Sequence, residues 1–190
     1  MKRLKVITAL AMLIFVLTGC TDYAEQYDKN TLVLKKNGSL VEVSVEDFKG
    51  TSVGADSLIS YVESQIESYN NSAGNVIKME SINTEDMSKV KLVVSYKDID
   101  CYNSFNLLDY KYKDISDVKE SELTGSFTSA DDKKAKPADI MAEKKAKVFT
   151  VSEATDVVIK GELLYYNDEV TVKDGVATTS GKKDSIFVIR

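Results

Sequence analysis

One stretch limits the fold more than any other: Leu32-Val33-Leu34-Lys35-Lys36-Asn37-Gly38-Ser39-Leu40-Val41-Glu42-Val43. Asn-Gly tolerates the positive φ angles of a two-residue hairpin turn, and apolar residues recur on both sides of it, so the chain is expected to reverse here. With Asn37-Gly38 as the loop, Leu34 pairs with Val41 and Leu32 with Val43 on one face. A helix should cover the resulting sheet. Asp56 can accept backbone N–H bonds as its N-cap, and Leu58, Ile59, Val62, Ile66 and Tyr69 follow at helical spacing. Asn70, Asn71 and Gly74 then end it.

Residues 76–82 read as a strand, and residues 90–96 as a stronger one with Val90, Leu92, Val94 and Tyr96 on a common face. Asp98 looks like the N-cap of a short helix bearing Ile99, Tyr102 and Phe105. Residues 109–147 are densely charged, with a short helix expected over 116–123 before Gly125. The one proline of the chain, Pro137, follows the linker-like run 131–136 and should open a turn of helix over 138–145. The remainder is β-rich: 148–151, 157–166, 170–173, 176–179 and 186–189. Turns are expected at Asn167-Asp168 and Asp174-Gly175, the first pairing Leu163 with Val172 and Tyr165 with Val170. The order predicts an α+β fold: antiparallel sheets, one main amphipathic helix packed on a sheet, and a β-rich C-terminal part. Residues 31–190 are expected to form a single domain, with a sub-division near 130–137 as the alternative.

The chain opens with Lys2, Arg3 and Lys5 and continues through an apolar run over 6–17. That is the plan of a secretory signal, and the run is too short to span a bilayer, which takes about 20 residues. The run closes on Leu17-Thr18-Gly19-Cys20, which resembles the lipobox of bacterial lipoproteins. The resemblance implies a signal peptide over 1–19, cleavage before Cys20, and diacylglycerol on the Cys20 sulfur, often with palmitate or a similar chain on the new N-terminus. Two acyl chains anchor stably where one binds only marginally. Residues 20–30 would then be a lipidated tether, at about 5–6 Å × √n spanning under 20 Å. The expected address is the cell membrane, lipid-anchored at its extracytoplasmic face.

Removing the three basic residues of the signal leaves 22 basic against 30 acidic residues, from 25 and 30 in the whole chain. Repulsion from an anionic surface leaves the lipid to do the holding. Apart from Arg3 the chain has a single arginine, Arg190, so the bidentate recognition of phosphates and bases that arginine favours has little to work with. No nucleic-acid partner is expected. Acylation of Cys20 leaves Cys101 without a disulfide partner, and with no histidine to lower its pKa it reads as a small buried residue rather than a nucleophile.

The same absence of histidine removes most catalytic and metal chemistry. Gly50-Thr51-Ser52-Val53-Gly54 matches the nucleophile-elbow pattern, but the serine has no base and sits after an antiparallel hairpin rather than in a βαβ unit. Ser88/Lys91, Ser116/Lys119 and Ser180/Lys183 match S-x-x-K at the frequency chance allows. Residues 175–183 miss the spacing of a phosphate loop, and Lys183 stands where a serine or threonine should be. Asp98-Ile99-Asp100 begins like a calcium loop but continues with Tyr102 and Asn103. Zinc, haem and copper lose their usual ligands. No catalytic residue, cofactor or metal is therefore expected. Tyr110, Tyr112, Tyr165 and Tyr166 could present an exposed surface, although in adjacent strand positions one of each pair normally faces the core.

Three further segments carry a broader likeness. They are Asn30-Thr31-Leu32-Val33-Leu34-Lys35-Lys36-Asn37-Gly38-Ser39, Tyr96-Lys97-Asp98-Ile99-Asp100-Cys101-Tyr102-Asn103-Ser104-Phe105-Asn106, and Gly161-Glu162-Leu163-Leu164-Tyr165-Tyr166. Together they resemble an uncharacterised group of lipoproteins from anaerobic Gram-positive bacteria. The resemblance implies an envelope location and no particular activity. The expected function is a non-catalytic binding or structural module of the cell envelope, engaging an envelope glycan or a partner protein. The alternatives are an envelope hydrolase using paired carboxylates and a solute-binding lipoprotein. A non-catalytic module should lack a polar cleft holding a carboxylate of strongly raised pKa. A hydrolase should show two carboxylates about 5–10 Å apart across a cleft.

Overall fold

The structure, a computed structural model, describes residues 23–190. The signal segment 1–19 and the expected acylation site Cys20 lie outside the described residues.

The hairpin forms between β1 (Thr31–Leu34) and β2 (Leu40–Glu46). Its loop differs from the expected one. Lys35 N donates to Ser39 O at 2.9 Å, Gly38 N donates to Lys35 O at 2.9 Å, and Gly38 takes φ 85°. Three residues therefore make the loop, with only the glycine left-handed. Asn37 keeps a negative φ and uses its side chain instead, Oδ1 accepting from Ser39 N and Oγ at 3.1 and 2.8 Å. The extra residue moves the register by one. Leu34 lies opposite Leu40, Val33 opposite Val41 and Leu32 opposite Glu42, correcting the expected Leu34–Val41 and Leu32–Val43 pairs. Such a step exchanges the faces of the sheet. Leu32, Leu34, Leu40 and Glu42 now share one face, and Val33, Val41 and Val43 the other.

Among the described residues this hairpin sits inside a seven-stranded sheet. Its other strands are β3 (Ile77–Asn83), β4 (Val90–Tyr96), β9 (Asp156–Ile159), β11 (Val170–Lys173) and β12 (Val176–Thr179), and the order is β11-β12-β9-β1-β2-β4-β3. Only the β1–β9 pairing is parallel among those in the two sheets. A second, six-stranded sheet contains β5 (Lys111–Asp114), β6 (Phe127–Ser129), β7 (Lys134–Ala135), β8 (Lys147–Val151), β10 (Leu163–Asn167) and β13 (Ser185–Ile189), in the order β5-β8-β13-β10-β6-β7. The helices are α1 (Tyr23–Gln26), α2 (Ala55–Ala73), α3 (Ile99–Asn106) and α4 (Pro137–Met141). The fold is α+β, with α2 packed on the first sheet and a β-rich C-terminal part.

After β8 the chain passes from one sheet to the other at nearly every step, and this overturns the second expected hairpin. Asn167-Asp168 does not join two paired strands: β10 pairs with β13 and β6, whereas β11 pairs with β12. The physical reason is the use made of Asn167. It is 1% exposed, its amide donates to Asp184 O at 2.8 Å and Thr124 O at 3.2 Å, and its Oδ1 accepts from Ile186 N at 3.0 Å. The chain still turns at residues 168–169, but the Asn167 side chain is tied to the start of β13 and to Thr124 and does not close a hairpin with β11. The Asp174-Gly175 turn, by contrast, forms as expected: Lys173 faces Val176, and both turn residues take positive φ, 52° and 78°.

Smaller differences have equally local causes. Helix α2 starts one residue ahead of Asp56, with Gly54 at the cap and no side-chain capping bond, so Asp56 lies in the first turn. The helix expected over 116–123 is two short 3-10 turns, Ile115–Asp117 and Glu120–Glu122, each closed by an i to i−3 bond. Pro137 does open α4, but the helix ends at Met141. Residues 130–137 lie in the β6–β7 hairpin and the start of α4.

The main core lies between the two sheets. From the first sheet it takes Leu34, Leu40, Val94, Tyr96 and Val157; from the second, Phe149, Val151, Phe187 and Ile189; from the helices, Ile66, Ile99 and Tyr102. A file of aromatic rings crosses it: Tyr69, Phe105, Tyr96, Tyr102, Tyr110, Phe149 and Phe187, with successive centroids 5.5, 6.1, 4.9, 5.6, 6.3 and 5.9 Å apart. Aromatic pairs at such spacing add about 0.5–1.5 kcal/mol each beyond their buried area. The outer face of the second sheet is covered by Ile115, Val118, Leu123 and Ile140 from the charged middle of the chain. The outer face of the first sheet is covered by Tyr23, Ala24 and Tyr27. Asp28 fastens this N-terminal segment, its carboxylate meeting Lys89 Nζ at 2.8 Å and Lys91 Nζ at 2.9 Å. From Tyr23 onward, then, the expected tether is docked on the sheet.

Candidate functional site

Where α2 leaves the sheet, a groove of about 560 Å³ opens between α2, the inner face of β2 and β4, and the end of α3. The register of the first hairpin decides what lies at its floor. Glu42 pairs with Val94 and Ser44 with Leu92, so all four side chains point inward, next to Tyr96 across from Leu40. A glutamate thus occupies a position that alternation reserves for an apolar residue.

The surroundings hold it in place. Tyr96 Oη donates to Glu42 Oε2 at 2.8 Å and Tyr102 Oη to Oε1 at 3.4 Å. Asn106 Nδ2 in turn donates to Tyr96 Oη at 3.4 Å and to Tyr102 O at 3.1 Å. Burial raises the Glu42 carboxyl above its ordinary range; the phenol bonds pull the other way without cancelling it, and Glu153 adds a smaller repulsion. Tyr96 and Tyr102 are pushed well above the phenol range, first by burial and next by the Glu42 charge, and so stay protonated donors. The groove thus holds a carboxylate that burial raises, without the strong rise expected of a hydrolase acid. The lining of the groove does, however, contain one carboxylate only. Glu153 is exposed, lies off the groove, and accepts from Tyr110 Oη at 3.4 Å.

A raised carboxyl makes stability depend on pH in a defined direction. Where the folded pKa exceeds the unfolded one, the folded state holds the extra proton; stability is intact below the ordinary glutamate range and is lost as pH climbs through the raised value. Glu42→Gln keeps an acceptor for the tyrosines and cannot ionise. Urea titrations at pH 4 and pH 8 should show the variant matching the parent at the lower pH and exceeding it at the higher. Each tenfold change in acid constant is worth about 1.4 kcal/mol.

The other residues singled out by the sequence are dispersed. Comparison with protein-family models, curated proteins and solved structures returns no match. Ser52 lies in an exposed loop of residues 50–54 ahead of α2. Lys91 of the Ser88/Lys91 pair is engaged with Asp28 and with Ala24 O at 2.6 Å, and Ser88 Oγ donates to Asp86 at 2.7 Å. Asp98 caps α3, accepting from Cys101 N at 2.8 Å. Among the described residues no cluster of three or more His, Cys, Asp or Glu side chains could hold a metal ion. The four tyrosines do not form one surface. Tyr110 is 3% exposed, Tyr112 packs on Phe149 beneath Lys147, Tyr165 joins the second core, and Tyr166 Oη reaches Asp132 at 3.3 Å.

Cys101 is half-buried at the first turn of α3, and burial followed by the neighbouring Asp98 pushes its thiol up to about 11. Little thiolate exists at neutral pH. Alkylation by iodoacetamide at pH 7.5 should run about tenfold or more slower than for an unstructured cysteine peptide, and unfolding in urea should remove the difference. A native thiol reacting at the peptide's rate would contradict the environment described.

Proposed function

We propose that the chain is an extracytoplasmic lipoprotein, anchored through Cys20, whose α+β domain is a non-catalytic binding module of the cell envelope and uses the α2–β2–β4 groove as its binding surface. The anchor rests on the basic start, the apolar run and Leu17-Thr18-Gly19-Cys20. The likeness of three segments to envelope lipoproteins supports the same address. Among the described residues no helix is long and apolar enough to cross a membrane.

The observation that carries the binding role is the make-up of the groove. It falls within the about 300–1,000 Å³ common for small-ligand sites. Its lining mixes aromatic rings with uncharged polar groups around a single fixed acid. One carboxylate can orient a ligand, whereas cleavage of a glycosidic bond takes an acid and a second carboxylate opposite it. This composition favours binding over the hydrolase alternative.

The anchor is tested by growing a lipoprotein-processing bacterial host with labelled palmitate. Label should enter the wild-type chain and be absent from Cys20→Ala. An unlabelled wild type, or a mature N-terminus upstream of Cys20, would overturn the reading.

A further inference from the structure

We infer that the groove recognises an organic ammonium group, seated against Glu42 and enclosed by the rings of Tyr61, Tyr69, Tyr96 and Phe105. This deepens the binding role proposed above and depends on the groove being the binding surface.

The first ground is charge. Of the residues that line the groove, Glu42 alone carries a formal charge, and no lysine or arginine is among them. An anionic ligand would meet repulsion without a counter-charge. A neutral ligand would leave a carboxylate at the floor with phenol donors and no cation. A cation supplies the missing partner, and a buried or half-buried acid is stabilised in its ionised form mainly by such a charge.

The second ground is the arrangement of rings. Tyr96 lies across from Leu40 on the strand adjacent to Glu42 and hydrogen-bonds to it; Phe105 packs on Tyr96 at 6.1 Å and Tyr69 on Phe105 at 5.5 Å. Tyr61 stands on the rim, next to Val62 and about one helical turn from Gln65, and is 62% exposed. Aromatic faces attract cations electrostatically, most strongly where water is excluded, and rings combined with a carboxylate form a site that an alkylammonium satisfies and an isosteric alcohol does not. The polar groups between the rings, Ser44, Gln65, Ser104 and Asn106, can bond to whatever the ammonium is attached to.

Binding of a cation favours ionised Glu42, so affinity rises with pH across the Glu42 titration. The groups that face Glu42 and set its behaviour are Tyr96 of β4, Tyr102 of α3, Ser44 of β2 and, more distantly, Glu153. The two phenols stay protonated throughout, leaving Glu42 as the titrating group in this window.

The test uses the purified full chain and two probes of one shape: choline, and its neutral isostere 3,3-dimethylbutan-1-ol. Aromatic resonances of Tyr69, Tyr96 and Phe105 are followed by NMR as each probe is added to tens of millimolar, the range for weak small ligands. Choline should shift these resonances saturably, more tightly at pH 8 than at pH 4. Glu42→Gln should weaken it about tenfold or more while leaving the alcohol unaffected, and Tyr61→Ala, at an exposed position, should weaken choline a few-fold without unfolding the domain. If the alcohol binds as well as choline, or if Glu42→Gln binds choline as the parent does, the ammonium assignment fails and the groove stands as a binding surface. If neither probe moves the groove resonances, both the assignment and the groove reading fail.

Discussion

Phe149→Ala is expected to remove about 3–5 kcal/mol, a large share of the about 5–15 kcal/mol that holds an ordinary domain folded. Phe149 is fully buried on β8, stacked on Phe187 at 5.9 Å and edge-on to Tyr110 at 6.3 Å and Tyr112 at 6.4 Å. It is the ring at which the second sheet meets the file of tyrosines that runs from Tyr96 of the first sheet through Tyr102 of α3 to Tyr110. Its loss leaves a cavity between two sheets that cannot close independently, since β9, β11 and β12 cross from one part of the chain to the other sheet. Urea unfolding followed by far-UV circular dichroism gives the number. Phe149→Leu should recover more than half of it, because most of the volume is restored. A loss below about 1 kcal/mol for the alanine variant would mean that the two sheets do not share this core.

The second large effect belongs to Asn167. Asn167→Leu keeps the size of the side chain and deletes three hydrogen bonds, stranding the buried Ile186 N–H and weakening the satisfaction of Asp184 O and Thr124 O. At about 1–3 kcal/mol for each buried group left unmet, the expected cost is about 2–4 kcal/mol. Asn167→Asp separates polarity from geometry. Its carboxylate would face two carbonyl oxygens where the amide now donates, so its pKa rises in the folded state and the stability present in acid is lost as pH climbs through that value. The aspartate variant should therefore be closest to the parent at pH 4 and furthest from it at pH 8. A pH-independent deficit would argue that the side chain merely fills space.

The contrast between Asn37-Gly38 and Asn167-Asp168 explains which parts of the fold are legible in the sequence. Both look like turns. The first closes a hairpin, because a glycine is present to take the left-handed position; at the second the chain turns without closing one, because β10 and β11 belong to different sheets and the asparagine is drawn into bonds with Ile186, Asp184 and Thr124 that no local pattern announces. The existence of α2, α3 and most strands follows from periodicity, since Asp98 and the Ile99, Tyr102 and Phe105 stripe act within a few residues of one another. The division into two sheets does not, because β9, β10, β11 and β12 are assigned to their sheets by contacts far along the chain.

Glu42 shows how one small error conceals a site. With a two-residue loop it faces away from Leu32 and Leu34; with the three-residue loop it shares their inward face. Because β1 is buried at every position, hydrophobicity fits either register equally well. The deciding information is the preference of Asn37 for bonding Ser39, together with Tyr96 and Tyr102, which lie far away in sequence and supply the donors that make an inward acid tolerable. No spacing rule links Glu42 to them.

The docking of the N-terminal segment bears on how the domain would be presented. Tyr23 and Tyr27 stack at 6.3 Å on the outer face of the first sheet, while the groove opens on its inner face. Only three peptide units separate Cys20 from Tyr23, about 10 Å of chain at full stretch. A fatty acyl group on that sulfur would therefore set the attitude of the whole body, its α1 side toward the headgroups and its mouth turned outward to whatever diffuses past.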